Sequence, residues 1–234
     1  MAHAGRTVHS GGMHKQVLCA AAALSALALT ACASVDSAPA LPAAQEAFWD
    51  NLQSHCGNAY AGGLASSDTR DADFAEKRMV AHWAECSDSR VAIAFHVEDP
   101  SAPGGWDRSR TWIVTRGEIE TGSGPGARFV TLKHDHRHED GSEDAVTRYG
   151  GTTGDRGAPR AQDFPVDRHS IALFEREGLD QSLTNVWRVE VDSANARGAG
   201  FAYQLTRRND PTRLFRVEFD ASEPVDPPPP AWGW

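Results

Sequence analysis

The 234-residue chain predicts a mainly β domain, an antiparallel barrel with an N-terminal helix and one further short helix. Three observations carry this expectation. Apolar and polar residues alternate at a period of two in most of the regular segments, which is the pattern of strands with one buried face. Clusters of Gly, Pro, Asp and Ser, such as Asp99-Pro100-Ser101-Ala102-Pro103-Gly104-Gly105, separate those segments as turns. No strand–helix–strand repeat of a parallel sheet runs through the chain.

The elements follow in chain order. From Met13, His14 and Lys15 precede an apolar run from Val17 to Leu29. The run is shorter than the ~20 apolar residues of a spanning helix and ends in small residues, so residues 1–31 read as a cleavable export signal whose true start is Met13. Leu29-Thr30-Ala31-Cys32 at its end resembles the lipobox of bacterial lipoproteins. That resemblance implies diacylglyceryl and palmitate modification at Cys32, cleavage in front of it, and a membrane anchor in the cell envelope. Ala33 stands where an inner-membrane retention signal would have Asp, which favours the outer membrane, with the domain facing the periplasm. Residues 32–42 are small, polar or proline and read as a tether.

Residues 43–222 have the length of one domain. Ala44, Ala47, Phe48, Leu52 and Cys56 fall at helical spacing and predict a helix over 43–55. Strands are expected at Met79–Cys86, Val91–Val97, Arg110–Arg116, Ala127–His138 and Glu143–Tyr149. Three more centre on Trp187/Val189/Val191, Phe201/Tyr203/Leu205 and Phe215/Val217/Phe219. The second helix runs from Phe164-Pro165-Val166 through Ile171, Leu173 and Phe174 and stops at Gly178. Eight or nine short strands of this kind favour a lipocalin-like barrel, with a cupin-like jelly roll as the alternative. Residues 223–234, with their proline run, predict a stiff tail. Its Trp232 and Trp234 either pack back on the domain or meet a partner.

Charge and cysteines narrow the function. Loss of residues 1–31 removes Arg6 and Lys15, leaving 21 basic against 32 acidic residues and a net charge of −11, which argues against nucleic acid as a partner. Cys19 leaves with the signal and Cys32 is acylated, so Cys56 and Cys86 remain to form a disulfide in an oxidising compartment.

The segment that could carry chemistry is Lys133-His134-Asp135-His136-Arg137-His138-Glu139-Asp140-Gly141-Ser142-Glu143-Asp144. Asp140-Gly141 suits a two-residue type I′ hairpin, which would set His138 opposite Glu143 and His134 opposite Thr147. His134, His136, His138 and Glu143 then share the face of Val130 and Leu132, where three imidazoles and a carboxylate could bind a divalent transition metal such as Zn, Fe or Mn, or hold a small anionic ligand. A solvated, salt-bridged hairpin tip is the plainer alternative.

His136-x-His138, Glu143 and Gly150 also resemble the first metal motif of cupins, although the glycine six positions before His136 and a proper second motif are missing. Over Phe48-Trp49, Leu132 to Asp144 and Tyr149-Gly150-Gly151 the chain resembles an uncharacterised family of exported bacterial lipoproteins, which implies export and domain extent but no activity. The expectation is therefore a lipid-anchored envelope domain that binds a small ligand or metal. A cupin-like metalloenzyme and a purely structural lipoprotein are the alternatives, and the reading leans away from an enzyme.

Overall fold

A computed structural model describes residues 40–118 and 128–234. The expected export signal, Cys32 and most of the expected tether lie outside the described residues, as does Ala127 at the start of the strand expected at Ala127–His138.

The domain is mainly β: a single antiparallel sheet of ten strands curls into a nearly closed barrel. The strands are β1 (Ala59–Leu64), β2 (Met79–Cys86), β3 (Arg90–Glu98), β4 (Trp106–Glu118), β5 (Arg128–His136), β6 (Tyr149–Thr152), β7 (Ala161–Pro165), β8 (Asn185–Val191), β9 (Gly200–Arg207) and β10 (Asp210–Val225). Each pairs with its neighbours in sequence from β1 to β6 and from β7 to β10, and β10 pairs with β1. That is the up-and-down connectivity of a lipocalin-like barrel with ten strands. The jelly-roll alternative is wrong, because a jelly roll requires Greek-key crossovers.

The seam between β6 and β7 is the one place where the ladder thins to a single bridge, Gly151 with Val166. It is closed by α2 (Arg168–Arg176) instead. The Asp167 side chain caps this helix by accepting from the Ser170 amide at 2.9 Å. Buried Ser170 in turn accepts from the Gly150 amide at 2.7 Å and donates to its carbonyl at 3.0 Å, satisfying backbone groups that a neighbouring strand would otherwise take. Only glycine fits this approach: a Cβ on Gly151 would lie 2.1 Å from the Pro165 carbonyl oxygen. The helix therefore starts at Arg168, not at Phe164, because Ala161–Pro165 is needed as a strand against β8.

One end of the barrel is plugged by α1 (Ala43–Gln53). Its buried face is Gln45, Phe48, Trp49 and Leu52, a helical spacing that meets Phe164 on β7 and accepts the Trp83 indole N–H at the Leu52 carbonyl, 2.9 Å away. The disulfide Cys56–Cys86 ties the end of this plug to β2 across a Cα separation of 6.0 Å.

The tail packs back on the domain. Strand β10 runs on to Val225, and Pro224 is tolerated beside Tyr60 because β9 has already ended at that level. Beyond it the Trp232 amide donates to the Arg108 carbonyl at 3.1 Å, and the Trp234 indole donates to Asp135 at 2.9 Å while Arg90 lies over its ring. Strand β3 is in consequence buried on both faces, with Ala92, Ala94 and His96 on the outer one.

Candidate functional site

The His-rich hairpin is built differently from the expected one. The His138 amide donates to the Ser142 carbonyl and the Gly141 amide to the His138 carbonyl, each at 2.9 Å, so the loop has three residues and ends in Gly141 at φ 84°. This is the type I turn plus bulge that competes with a two-residue type I′ turn. The register slips by one, and Arg137 rather than His138 bridges to Glu143. A further irregularity, with Arg148 at φ 60°, brings Tyr149 instead of Thr147 opposite His134. Residues 143–148 are thus turns with one isolated bridge, and the strand expected there starts only at Tyr149.

The slip divides the four residues of the expected metal cluster. His134 and His136 face the barrel interior with Val130 and Leu132, whereas His138 is exposed at the tip and Glu143 lies outside, taking Arg137 at 3.2 Å and Arg148 at 2.7 Å. Buried Asp135 completes this outer network, with Arg137 at 2.9 Å and Arg148 at 3.3 Å. Among the described residues no three His, Cys, Asp or Glu side chains converge as a metal site. Of the residues with cupin-like spacing, His136 faces the barrel interior, His138 is exposed at the tip and Glu143 is paired with arginines outside.

His134 is unsuited to a metal for a second reason. Its Nδ1 lies 3.1 Å from the Tyr149 carbonyl, which can only accept, so Nδ1 carries the proton and Nε2 accepts from the Tyr203 hydroxyl at 2.7 Å. Both nitrogens are occupied, and the ring is stacked on Tyr149 at 4.6 Å between centroids. Burial, followed by the neighbouring His136, pushes its pKa down to about 3. His136 accepts from or donates to the Tyr149 hydroxyl at 3.0 Å and is lowered to about 4, chiefly by burial and then by Arg110. Burial in turn raises Tyr149 to about 12. His134, His136 and Tyr149 are therefore neutral at physiological pH.

These pairs belong to the wall of a cavity of about 260 Å³ inside the barrel. Phe95, Trp112 and Tyr203 form a stack of three rings, with centroid separations of 4.6 and 4.4 Å, and Trp187, Phe174 and Phe215 add further aromatic wall. The cavity lies at the end away from α1, between the 3₁₀ turn Thr69–Phe74 and the connection from α2 to β8. Arg110 and His136 mark this end of β4 and β5, while Arg116, over the ring of Trp49, marks the plugged end. Six residues separate Arg110 from Arg116, roughly 20 Å of strand.

Most of this wall is invisible to motif reading because it is assembled from alternate residues of separate strands. Its signal was present in the apolar alternation of Phe201, Tyr203 and Leu205, which continues to Arg207 on the same face. Comparison with protein-family models, with curated proteins and with solved structures finds no match to this chain.

Proposed function

We propose that the protein is a lipid-anchored binding protein of the bacterial cell envelope that holds a small organic ligand in its barrel. The observation that carries this reading is the aromatic-walled cavity with two neutral His–Tyr pairs at its side. A cavity of about 260 Å³ falls just below the ~300–1,000 Å³ range of ordinary ligand pockets, so the ligand is small. Apolar walls with a few placed polar groups are what such pockets use for affinity and orientation. The outward Asp135, Arg137, Glu143 and Arg148 network accounts for the other half of the His-rich segment as structure.

Anchoring rests on residues 13–32, the export signal and the lipobox-like Leu29-Thr30-Ala31-Cys32. No helix of the described residues is long and apolar enough to cross a membrane. Labelled palmitate should enter the protein when it is produced in a bacterium, and Cys32→Ala should abolish the label; an unlabelled wild type would remove the anchor from the proposal.

The pocket is tested with N-phenyl-1-naphthylamine, a neutral probe that fluoresces in apolar surroundings. One probe should bind per protein in the micromolar range, and Leu205→Trp, which fills the cavity, should abolish binding with the circular dichroism spectrum retained. Absence of binding to the wild type would refute the reading.

A further inference from the structure

We infer that the ligand is an organic acid, its anionic group held by Arg207 at the rim and its apolar body against the rings below. The inference rests on the binding function proposed above and names the chemistry of the ligand.

The charge of the cavity wall runs against the charge of the chain. The protein carries −9 overall, yet Arg110, Arg207 and Arg213 line the cavity against a single lining carboxylate, Asp71. Two of the three guanidiniums are neutralised within the protein. Arg213 grips Asp71 at 2.5 and 2.9 Å and reaches Asp68 at 3.0 Å, and Arg110 pairs with Asp107 at 2.5 Å.

Arg207 differs. Its Nε donates to Asn185 Oδ1 at 3.0 Å and its Nη1 to Gln181 Oε1 at 3.2 Å, both neutral amides. Among the described residues no carboxylate forms an ion pair with it and no acceptor takes its Nη2. The two amides fix the plane of the guanidinium and leave both N–H groups of Nη2 without an acceptor, available to the oxygens of an anion. Burial, then the like charges of Arg213 and Arg70, lower its pKa and outweigh the opposing pull of Asp210 and Asp68, whose carboxylates are already paired with Arg70 and Arg213.

Position sets the shape of the ligand. Arg207 lies four residues from Tyr203 on the inner face of β9, roughly 13 Å along the strand. The Tyr203 ring is stacked on Trp112 and closes the floor of the ring-lined region. An acid of about that length would reach from the guanidinium to the floor, with its carboxylate at the rim and a flat or aliphatic body against Trp187 and Phe215.

The test is displacement of N-phenyl-1-naphthylamine from the full-length protein by matched acid and amide pairs: benzoate and benzamide, 2-naphthoate and 2-naphthamide, octanoate and octanamide. Each effective acid should compete at least tenfold better than its amide. Arg207→Gln should erase that difference while leaving the amides unchanged, and Arg207→Lys should keep part of it. The acid preference should also shrink as salt is raised from 50 to 500 mM, because the ion pair at a rim is screened. Equal competition by acids and amides, a preference that survives Arg207→Gln, or bound probe that no acid displaces below 1 mM would each overturn the inference and leave the pocket standing. A wild type that does not bind the probe at all would instead remove the pocket, and this inference with it. Melting curves of both variants verify that the comparison is made on folded protein.

Discussion

Acidification from pH 7 to pH 5 should strongly destabilise this barrel through its histidines. His96 is fully buried on the outer face of β3, neither of its ring nitrogens has a hydrogen-bond partner among the described residues, and burial, then His82 and Arg108, lowers its pKa to about 4. His136 is lowered to about 4 and His134 to about 3. In each case the folded state holds the neutral imidazole, whereas the unfolded chain protonates near 6.5. The stability these residues contribute is therefore complete above pH 6.5 and is lost as pH falls toward the folded pKa. A group titrating at 6.5 unfolded and about 4 folded makes folding less favourable by about 2 kcal/mol at pH 5, so the three together remove about 6 kcal/mol. That is comparable with the whole stability of an ordinary domain, about 5–15 kcal/mol. Burial pushes His55 and His82 the same way. Carboxylates act at lower pH, such as Asp210, which the Thr212 hydroxyl and Arg70 draw down to about 2. Urea unfolding followed by tryptophan fluorescence at pH 7, 6 and 5 reads the effect directly. His96→Leu removes one proton acceptor and two unsatisfied polar atoms at similar volume, and should recover about 2 kcal/mol at pH 5 relative to wild type. A wild-type loss below about 1 kcal/mol between pH 7 and 5, or a His96→Leu profile parallel to wild type, would refute the reasoning.

Replacing Cys56 and Cys86 together by Ala opens a loop with a sequence separation of 30 and should lower stability by about 3.5 kcal/mol, read as a shifted urea midpoint. An unchanged midpoint would show that the plug holds to β2 without the bond. Gly151→Ala places a Cβ 2.1 Å from the Pro165 carbonyl oxygen and should pry open the seam beside α2. Hydrogen exchange at the Asp167 amide, which donates to Gly150 at 3.1 Å, should then speed up while exchange in β3 stays slow. Equal protection in the variant would contradict the account of the seam. Trp234→Ala removes the indole bond to Asp135 and the stacking of Arg90, and should cost about 2 kcal/mol. A variant as stable as wild type would mean the end of the tail rests on the barrel without holding it.

The sheet was legible where one face is wet. Trp187/Val189/Val191, Phe201/Tyr203/Leu205 and Phe215/Val217/Phe219 alternate cleanly and are strands β8, β9 and β10 as expected. Three strands escaped for local reasons. Strand β1, Ala-Tyr-Ala-Gly-Gly-Leu, and β6, Tyr-Gly-Gly-Thr, carry glycines that mimic turns but permit close backbone approach. Strand β7 ends in Pro165 and runs straight into α2, so its Phe164 read as the helix entrance. In the His-rich segment the period of two correctly set His134 and His136 inward. The partner strand was misplaced because Asp140-Gly141 suits both a two-residue and a three-residue loop, and one residue of register decides which side chains meet. Arg207 carried no local signal: that the nearby carboxylates Asp68 and Asp210 are taken by Arg70 and Arg213 is a property of the assembled strands and loops, not of the residues beside it in sequence.

The pairing of β1 with β10 has a consequence for the order in which the molecule is made. Most of the ladder joins strands adjacent in sequence, which can form as hairpins while the chain is still emerging. The β1–β10 contact instead joins residues near 60 to residues near 220. Until β10 arrives, β1 has a bare edge, and Trp83 and Phe95 lack the aromatic residues of β9 and β10 that cover them. Completion of the core is thus a late event that waits for nearly the whole polypeptide, and a chain still growing does not lock into the native barrel before β10 has emerged.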